Sequence, residues 1–227
     1  PRVAVLVTGD EVVAPVQLPP PGSLRDSHTD FLLAAVAAAG GDGHPLGIAR
    51  DEPATLAARL APALDAFDVV LTCGGVSMGG ADHVPGVLRQ LGCAELFHGV
   101  AMQPGKPLLA GRRGTTLVFG LPGNPGSVMT AFRLLVRPAL ERLAGRAAGF
   151  WEGVFEVRLA AALGAGRARD RFVPARFAPD RGPALADPLP VAGSHDQLAF
   201  ARAELLLRIR AGEPARPAGA AIEAIDF

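Results

Sequence analysis

The chain has 227 residues, 49% of them apolar, and its 22 Lys and Arg are balanced by 22 Asp and Glu. That length holds one large domain or two small ones around a substantial core. The neutral balance, the lack of a basic run and an aromatic set of eleven Phe, one Trp and no Tyr argue against a nucleic-acid surface.

No apolar run approaches a membrane span, and no signal peptide is visible. The chain opens on Pro1 inside a strand-like run, without Met, which reads as a fragment or a processed chain. Cys73 and Cys93 have neither metal-site spacing nor a disulfide framework around them, so a reduced, cytosolic protein is expected. The richness in Ala, Gly, Arg and Pro is attributed to genomic base composition.

Residues 2–7 (RVAVLV) predict a first strand that ends in Thr8-Gly9-Asp10-Glu11. The Pro-rich run 14–22 (APVQLPPPG) reads as a surface loop. Residues 29–39 predict a helix, with Ser27 or Thr29 as cap and Gly40-Gly41 as stop. A second helix follows Asp51 and Pro53 to about Ala66, with Pro62 expected to kink it. Residues 67–73 (FDVVLTC) predict a second strand, which runs into the loop 74–82 (GGVSMGGAD). Residues 84–91 make a third helix. Residues 116–121 (TLVFGL) make a third strand that leads through LPGNPGS into a long helix over 125–143, its regularity broken by Pro138.

All three strands are rich in Val and Leu, as strands buried on both faces are. Strand and helix alternation implies an α/β domain with helices on both faces, and the three special loops share the carboxyl end of its sheet, where such sheets bind ligands. After Gly145 the pattern shifts to short alternating segments at 153–159, 171–177 and 204–210. These predict an all-β unit of about eighty residues, with the boundary near residue 147. No internal repeat is present.

Residues 75–79 (GVSMG) match the Gly-x-Ser-x-Gly nucleophile elbow and follow a strand. With Ser77, Asp180 or Asp187 and then His195 would supply the chain order of a triad. Against this, both partners would come from the β-rich tail, and Pro85 delays the helix that should begin close to the serine. The same loop also reads as an anion cradle. Its glycines, Gly74, Gly75, Gly79 and Gly80, let backbone N–H groups approach an oxyanion, and Ser77 can donate. Asp82 is then a metal ligand or acid–base group, or else the N-cap of the following helix.

Asp10 and Glu11 read either as a polar turn or as part of a Mg²⁺ or proton-transfer site, and the neighbouring glycine loops favour the second. In residues 102–107 (MQPGKP), two prolines and a glycine hold Lys106 in a rigid turn, which would aim a point charge at an oxyanion. The stiff LPGNPGS turn has the form of a ligand-holding loop with exposed N–H groups. Histidines 28, 44, 83, 98 and 195 lack ligand spacing and read as surface or packing residues.

Taken in order, TGDE at 8–11, DSH at 26–28, CGGVSMGGAD at 73–82, PGKP at 104–107 and LPGNP at 121–125 resemble the molybdopterin molybdenumtransferases, enzymes of the MoeA and gephyrin E-domain type. The tail, with GSHDQLAFARAELLLRI at 193–209, looks like the family's C-terminal β-barrel. The resemblance implies a three-layer α/β/α molybdopterin-binding domain with a mostly parallel sheet at 1–147, and a small all-β barrel domain at 148–227. It implies an enzyme of molybdenum cofactor synthesis whose substrates are adenylylated molybdopterin and molybdate. AMP leaves as molybdenum enters the dithiolene, and Mg²⁺ is required.

On that resemblance Glu11, Asp51 and Asp82 would serve the catalytic acid and metal-linked roles, with Glu11 and Asp82 as Mg²⁺ ligands. Substrate binding would fall to Thr8, Gly9, Ser27, Gly74, Gly75, Ser77, Lys106, Pro107, Gly123, Asn124, Pro125 and Ser127. Arg176 and Ser194 match an oxyanion pocket. A doubly charged oxyanion and a pyrophosphate-like link call for the same things: cations, N–H donors and a metal. The resemblance further implies a cytoplasmic protein that binds a small pterin, without nucleic-acid or membrane partners. It would be homodimeric at full length, with a molybdopterin adenylyltransferase as partner.

Three features depart from the family pattern. Gln103 stands where a second basic residue is usual, and His28 replaces the amide of an Asp-Ser-Asn motif. The two domains that precede this region in family members are not in the chain. The readings are therefore a molybdenum-inserting transferase or its catalytic fragment, a molybdopterin-binding module without full turnover, and a serine hydrolase built on Ser77. The smaller adenylyltransferase of the same pathway shares the α/β domain but lacks the β tail.

Overall fold

The structure is a computed structural model and describes residues 1–76, 82–146, 153–178 and 184–227. The chain divides into two compact units. One comprises Pro1–Val100, Pro107–Asn124 and Ala131–Ala147, the other Ala101–Lys106, Pro125–Thr130 and Ala148–Phe227. The boundary expected near residue 147 lies outside the described residues.

The chain begins with β1 (Arg2–Thr8), the short strands β2 (Val12–Val13) and β3 (Leu24–Arg25), and α1 (His28–Ala38). There follow β4 (Asp42–Ala49), α2 (Pro53–Ala66), β5 (Val69–Cys73), α3 (Val84–Gln90) and β6 (Ala94–His98). Next come β7 (Met102–Gln103), β8 (Leu109–Arg113), β9 (Thr116–Leu121), α4 (Pro125–Ala131), a π-helical segment Phe132–Val136 and α5 (Arg137–Leu143). The tail carries β10 (Val154–Leu159), β11 (Asp170–Phe177), β12 (Leu185–Pro188), α6 (Gln197–Ala201), β13 (Leu205–Ile209) and β14 (Ala221–Asp226).

The first unit is the expected α/β domain. Its six strands run in the order β4-β1-β5-β9-β8-β6. The first four are parallel, and β8 and β6 are antiparallel. Every residue of β1 from Val3 to Thr8 is buried, because both faces of the sheet are covered. Ala4 and Leu6 face one way, in a cluster with Leu56, Leu60 and Leu64 of α2 and Val84, Val87 and Leu88 of α3. On the opposite face Val3 pairs with Gly43, and α1 packs there, with Leu33 and Val36 close over Gly43.

Three strands of this sheet have no counterpart in the sequence expectation: β4, β6 and β8. The β4 sequence, DGHPLGIA, carries Gly43, Pro45 and Gly47, which read as breakers. It forms a strand because it lies at the sheet edge, where a proline costs no ladder bond. A register shift between Val5 and Leu6 leaves Leu46 unpaired and lets Gly47 take φ +80°. Likewise, the helix expected to run through 125–143 is interrupted. The Arg137 N–H donates to Phe132 O, five residues back. This wider turn accommodates Pro138, which has no N–H for Leu134 O and would crowd that carbonyl in a regular helix. Pro62, by contrast, sits inside α2 and the helix continues to Ala66.

The second unit contains the expected small barrel. Strands β10, β14, β13, β11 and β12 pair in sequence, and β12 also pairs with β10, so the ring closes. Strand β7 is added outside the ring, along β11. Alternate residues fill the interior: Val157 and Leu159, Val173 and Ala175, Leu205, Leu207 and Ile209, Ile222 and Ala224. That period of two is the one a closed barrel requires. Outside, Arg208 donates two hydrogen bonds to Asp170, of 2.8 and 2.7 Å, and lies 3.3 Å from Glu223.

Candidate functional site

The parallel strands lie in the order β4-β1-β5-β9, so the winding reverses between β1 and β5. Open α/β sheets bind ligands outside the carboxyl ends of the strands at such a reversal. Thr8 ends β1 there, and Gly74 and Gly75 follow β5. The Thr8 hydroxyl donates to the Asp51 carboxylate, and the Asp51 N–H donates to Asp10 Oδ1 at 3.2 Å. Asp51 follows β4, so residues distant in sequence form one acidic rim. Glu11 is exposed and its carboxylate folds back towards Gly9.

Gly74 explains the glycine pair. A Cβ on it would stand 2.4 Å from the Thr8 carbonyl oxygen, and its φ is +100°. Only glycine allows β1 and the loop after β5 to approach so closely. Gly75 O accepts from Val84 N at 3.3 Å, which ties together the two ends of the loop between them. Ser77, Gly79 and Gly80 lie outside the described residues, so the elbow and cradle readings of Ser77 stay expectations. Asp82 is half buried and precedes His83, which occupies the N-cap position of α3. Of the other elbow partners, Asp180 also lies outside the described residues, and no hydrogen bond joins Asp187 to His195 among those described.

The turn after β9 packs beside Gly74. Three successive carbonyls each accept one hydrogen bond: Leu121 O from Gly74 N at 3.0 Å, Pro122 O from Cys73 Sγ at 3.3 Å, and Gly123 O from His28 Nε2 at 2.8 Å. Gly123 and Asn124 are exposed. Burial, with the nearby Asp26 adding to it, pushes the Cys73 thiol well above its ordinary range. At the start of α1, Ser27 occupies the N-cap but its side chain makes no capping bond. Asp26 does this instead, accepting from His28 N at 2.8 Å and Thr29 N at 3.1 Å.

Two histidines expected to be surface or packing residues thus hold backbone carbonyls, since His98 Nε2 also bonds Val76 O at 2.9 Å. Neither role is legible locally, because each partner is far away in sequence.

In the second unit, Lys106 is exposed and follows Gly105, which takes φ +105° and lies near Ser127 O. Ser127 is buried. Gly126 N donates to Ser194 O at 2.8 Å, and Gly126 lies against the Phe200 ring. Arg176 is exposed and 3.9 Å from Glu204 Oε2. Pro107 and Pro125 are half buried, in the first and second units respectively.

Among the described residues no group of three or more His, Cys, Asp or Glu could hold a metal ion. Magnesium does not need such a cage: it binds through one or two carboxylates plus substrate phosphates. The oxygen donors of Asp10, Glu11 and Asp51 suit that chemistry. Among the described residues no helix is long and apolar enough to cross a membrane.

A doubly wound sheet whose reversal point is lined by glycine turns and carboxylates defines a ligand-binding α/β domain. Residues 4–142 match the family described as a probable molybdopterin binding domain, and the chain belongs to that family. Over 158 residues it is 39% identical to a molybdopterin molybdenumtransferase of Nostoc sp., a match covering 68% of this chain and 36% of that protein. A Bacillus subtilis protein of the same name is 33% identical over 141 residues, which is 62% of this chain and 33% of that one. The whole chain aligns with 54% of a solved molybdopterin biosynthesis MoeA protein from Pyrococcus horikosii, at 34% identity and a TM-score of 0.85. The chain therefore spans about half the length of that solved relative, and its matched segments about a third of the curated ones.

Proposed function

We propose that this chain carries molybdenum insertion in cofactor synthesis: adenylylated molybdopterin and molybdate are the substrates, and AMP is released. The observation that carries this reading is the grouping of Thr8, Asp51, Gly74 and Gly75 at the reversal point of a sheet that belongs to a molybdopterin-binding family. Glycine turns let backbone N–H groups approach an anionic link. The acidic rim of Asp10, Glu11 and Asp51 would by itself repel a phosphate, so the reading requires a divalent cation beside it.

Glu11 and Asp82 are the residues that would hold Mg²⁺, with Asp51 as the third catalytic acid. Bound there, Mg²⁺ supplies charge neutralisation for the phosphate oxygens. Thr8 orients the Asp51 carboxylate. Gly75, Gly123 and Asn124 contribute backbone N–H groups to the pterin phosphate, and Ser27 and Ser77 contribute hydroxyls. Gly9 and Gly74 form the close turns that admit the phosphate, their own N–H groups being held by Ala49 O and Leu121 O. Lys106, Pro107, Pro125, Ser127, Arg176 and Ser194 serve the oxyanion. On this reading the protein acts in the cytoplasm, dimerises in its full-length form and receives its substrate from a molybdopterin adenylyltransferase.

The test is AMP release from adenylylated molybdopterin with Mg²⁺, with and without molybdate. Molybdate-dependent release is the expected result. Tight molybdopterin binding without release would leave a binding module, and loss of both would overturn the reading.

A further inference from the structure

We propose that His28 is a positioning residue for the ligand turn after β9, an inference that rests on the reading above. Its Nε2 lies 2.8 Å from Gly123 O, 95 residues away in sequence. Because a carbonyl only accepts, Nε2 carries the proton and Nδ1 of the neutral ring does not. The backbone that carries the imidazole is itself held, since buried Asp26 accepts from the N–H groups of His28 and Thr29. The tie therefore runs from a fixed helix start to an exposed turn.

The effect on the turn follows from peptide geometry. In a planar trans peptide the C=O and the next N–H point in opposite directions, and among the described residues the only cis bond is Gln103–Pro104. Drawing Gly123 O onto His28 turns the Asn124 N–H away from it. Drawing Pro122 O onto Cys73 Sγ does the same for the Gly123 N–H. Gly123 and Asn124 are both exposed, so two adjacent donors are set outward for an anionic oxygen. His28 aims the second of them without touching the ligand.

The donor makes the idea discriminating. Glutamine Nε2 is as many bonds from its Cα as histidine Nε2 and can donate, whereas leucine keeps the bulk and carries no donor. The experiment uses this chain, with molybdopterin as probe and amide hydrogen exchange as a second readout. In His28→Ala the Kd should rise about threefold to tenfold, the effect of one hydrogen bond, and exchange at the buried Gly74 N–H, held by Leu121 O where the turn begins, should accelerate. His28→Gln should recover both properties and His28→Leu should not, while His44→Ala, on the far strand β4, should match the parent.

Unchanged exchange and affinity in His28→Ala would overturn the proposal, as would equal behaviour of the Gln and Leu variants. Should the alanine variant fail to fold, ¹⁵N-histidine spectra of the parent decide: a neutral His28 protonated at Nδ1 contradicts the tie, and one protonated at Nε2 supports it. If the parent itself does not bind molybdopterin, the functional reading fails, while the exchange and tautomer measurements still judge His28.

Discussion

The hydroxyl of Thr8, the last residue of β1, donates to the carboxylate of Asp51, two residues past the end of β4. Thr8 is 4% exposed, so the bond is sheltered from water and orients the carboxylate across the strand ends. Thr8→Val keeps the shape and removes the donor. It should cost about 1–2 kcal/mol of stability and lower AMP release through a misplaced Asp51, whereas Asp51→Asn should lower AMP release with little loss of stability. Chemical denaturation alongside turnover separates the two. Equal turnover in both variants and the parent would remove Asp51 from the proposed chemistry.

Packing leaves Gly74 little freedom. A methyl group there meets the Thr8 carbonyl at 2.4 Å on a backbone with φ +100°. Gly74→Ala should lose about 3 kcal/mol, visible as a lower unfolding midpoint. Gly114→Ala, whose added methyl meets nothing within 4 Å despite φ +58°, should lose less.

The thiols should be silent. Cys73 is buried, donates to Pro122 O and has its pKa pushed up by burial. Burial also raises the pKa of Cys93, with Arg113 opposing. Thiolate is the reactive form, so neither should react with a thiol reagent at neutral pH until the chain unfolds. Rapid labelling of the folded protein would show that the turn after β9 opens readily.

Acid should weaken the barrel unit through Asp170. Burial opposes its charge, but the Ala211 N–H and the Arg208 guanidinium outweigh that and hold its carboxyl below the usual range. A folded pKa below the unfolded one means the stabilisation is complete above about pH 4 and is lost as pH falls through the folded value. Asp170→Asn should therefore be less stable at neutral pH and show a shallower loss on acidification, read from unfolding midpoints between pH 6 and pH 3. A parallel decline in both proteins would assign the acid sensitivity to other carboxylates.

Lys106 and Asp82 should fail differently. Lys106→Ala should weaken binding of the anionic substrate about tenfold or more, as loss of a charge-assisted contact does. Asp82→Asn should leave binding near the parent value and reduce AMP release. Binding titrations paired with turnover distinguish these outcomes, and parental behaviour in both would sink the assignment of both residues.

Much of this molecule follows from local pattern. Runs such as RVAVLV and VVLTC read as strands buried on both faces, so three of the four parallel strands, the helices between, and the position of the glycine turns at the carboxyl ends are implied by sequence. Alternation at 205–209 likewise implies a strand with one face in a core. Other features depend on partners that sequence does not reveal. Strand β4 has no counterpart in the sequence reading, since only its edge position makes Pro45 harmless, and barrel closure depends on β12 pairing with both β10 and β11.

The site divides in the same way. Glu11, Gly74 and Gly75 are conspicuous because carboxylates and glycines gather at the strand ends. The Thr8–Asp51 bond and the hold of His28 on Gly123 are decided by the fold alone. Hydrogen bonds are short and directional, while these partners lie 43 and 95 residues apart in the chain, and only the folded sheet brings such groups within reach.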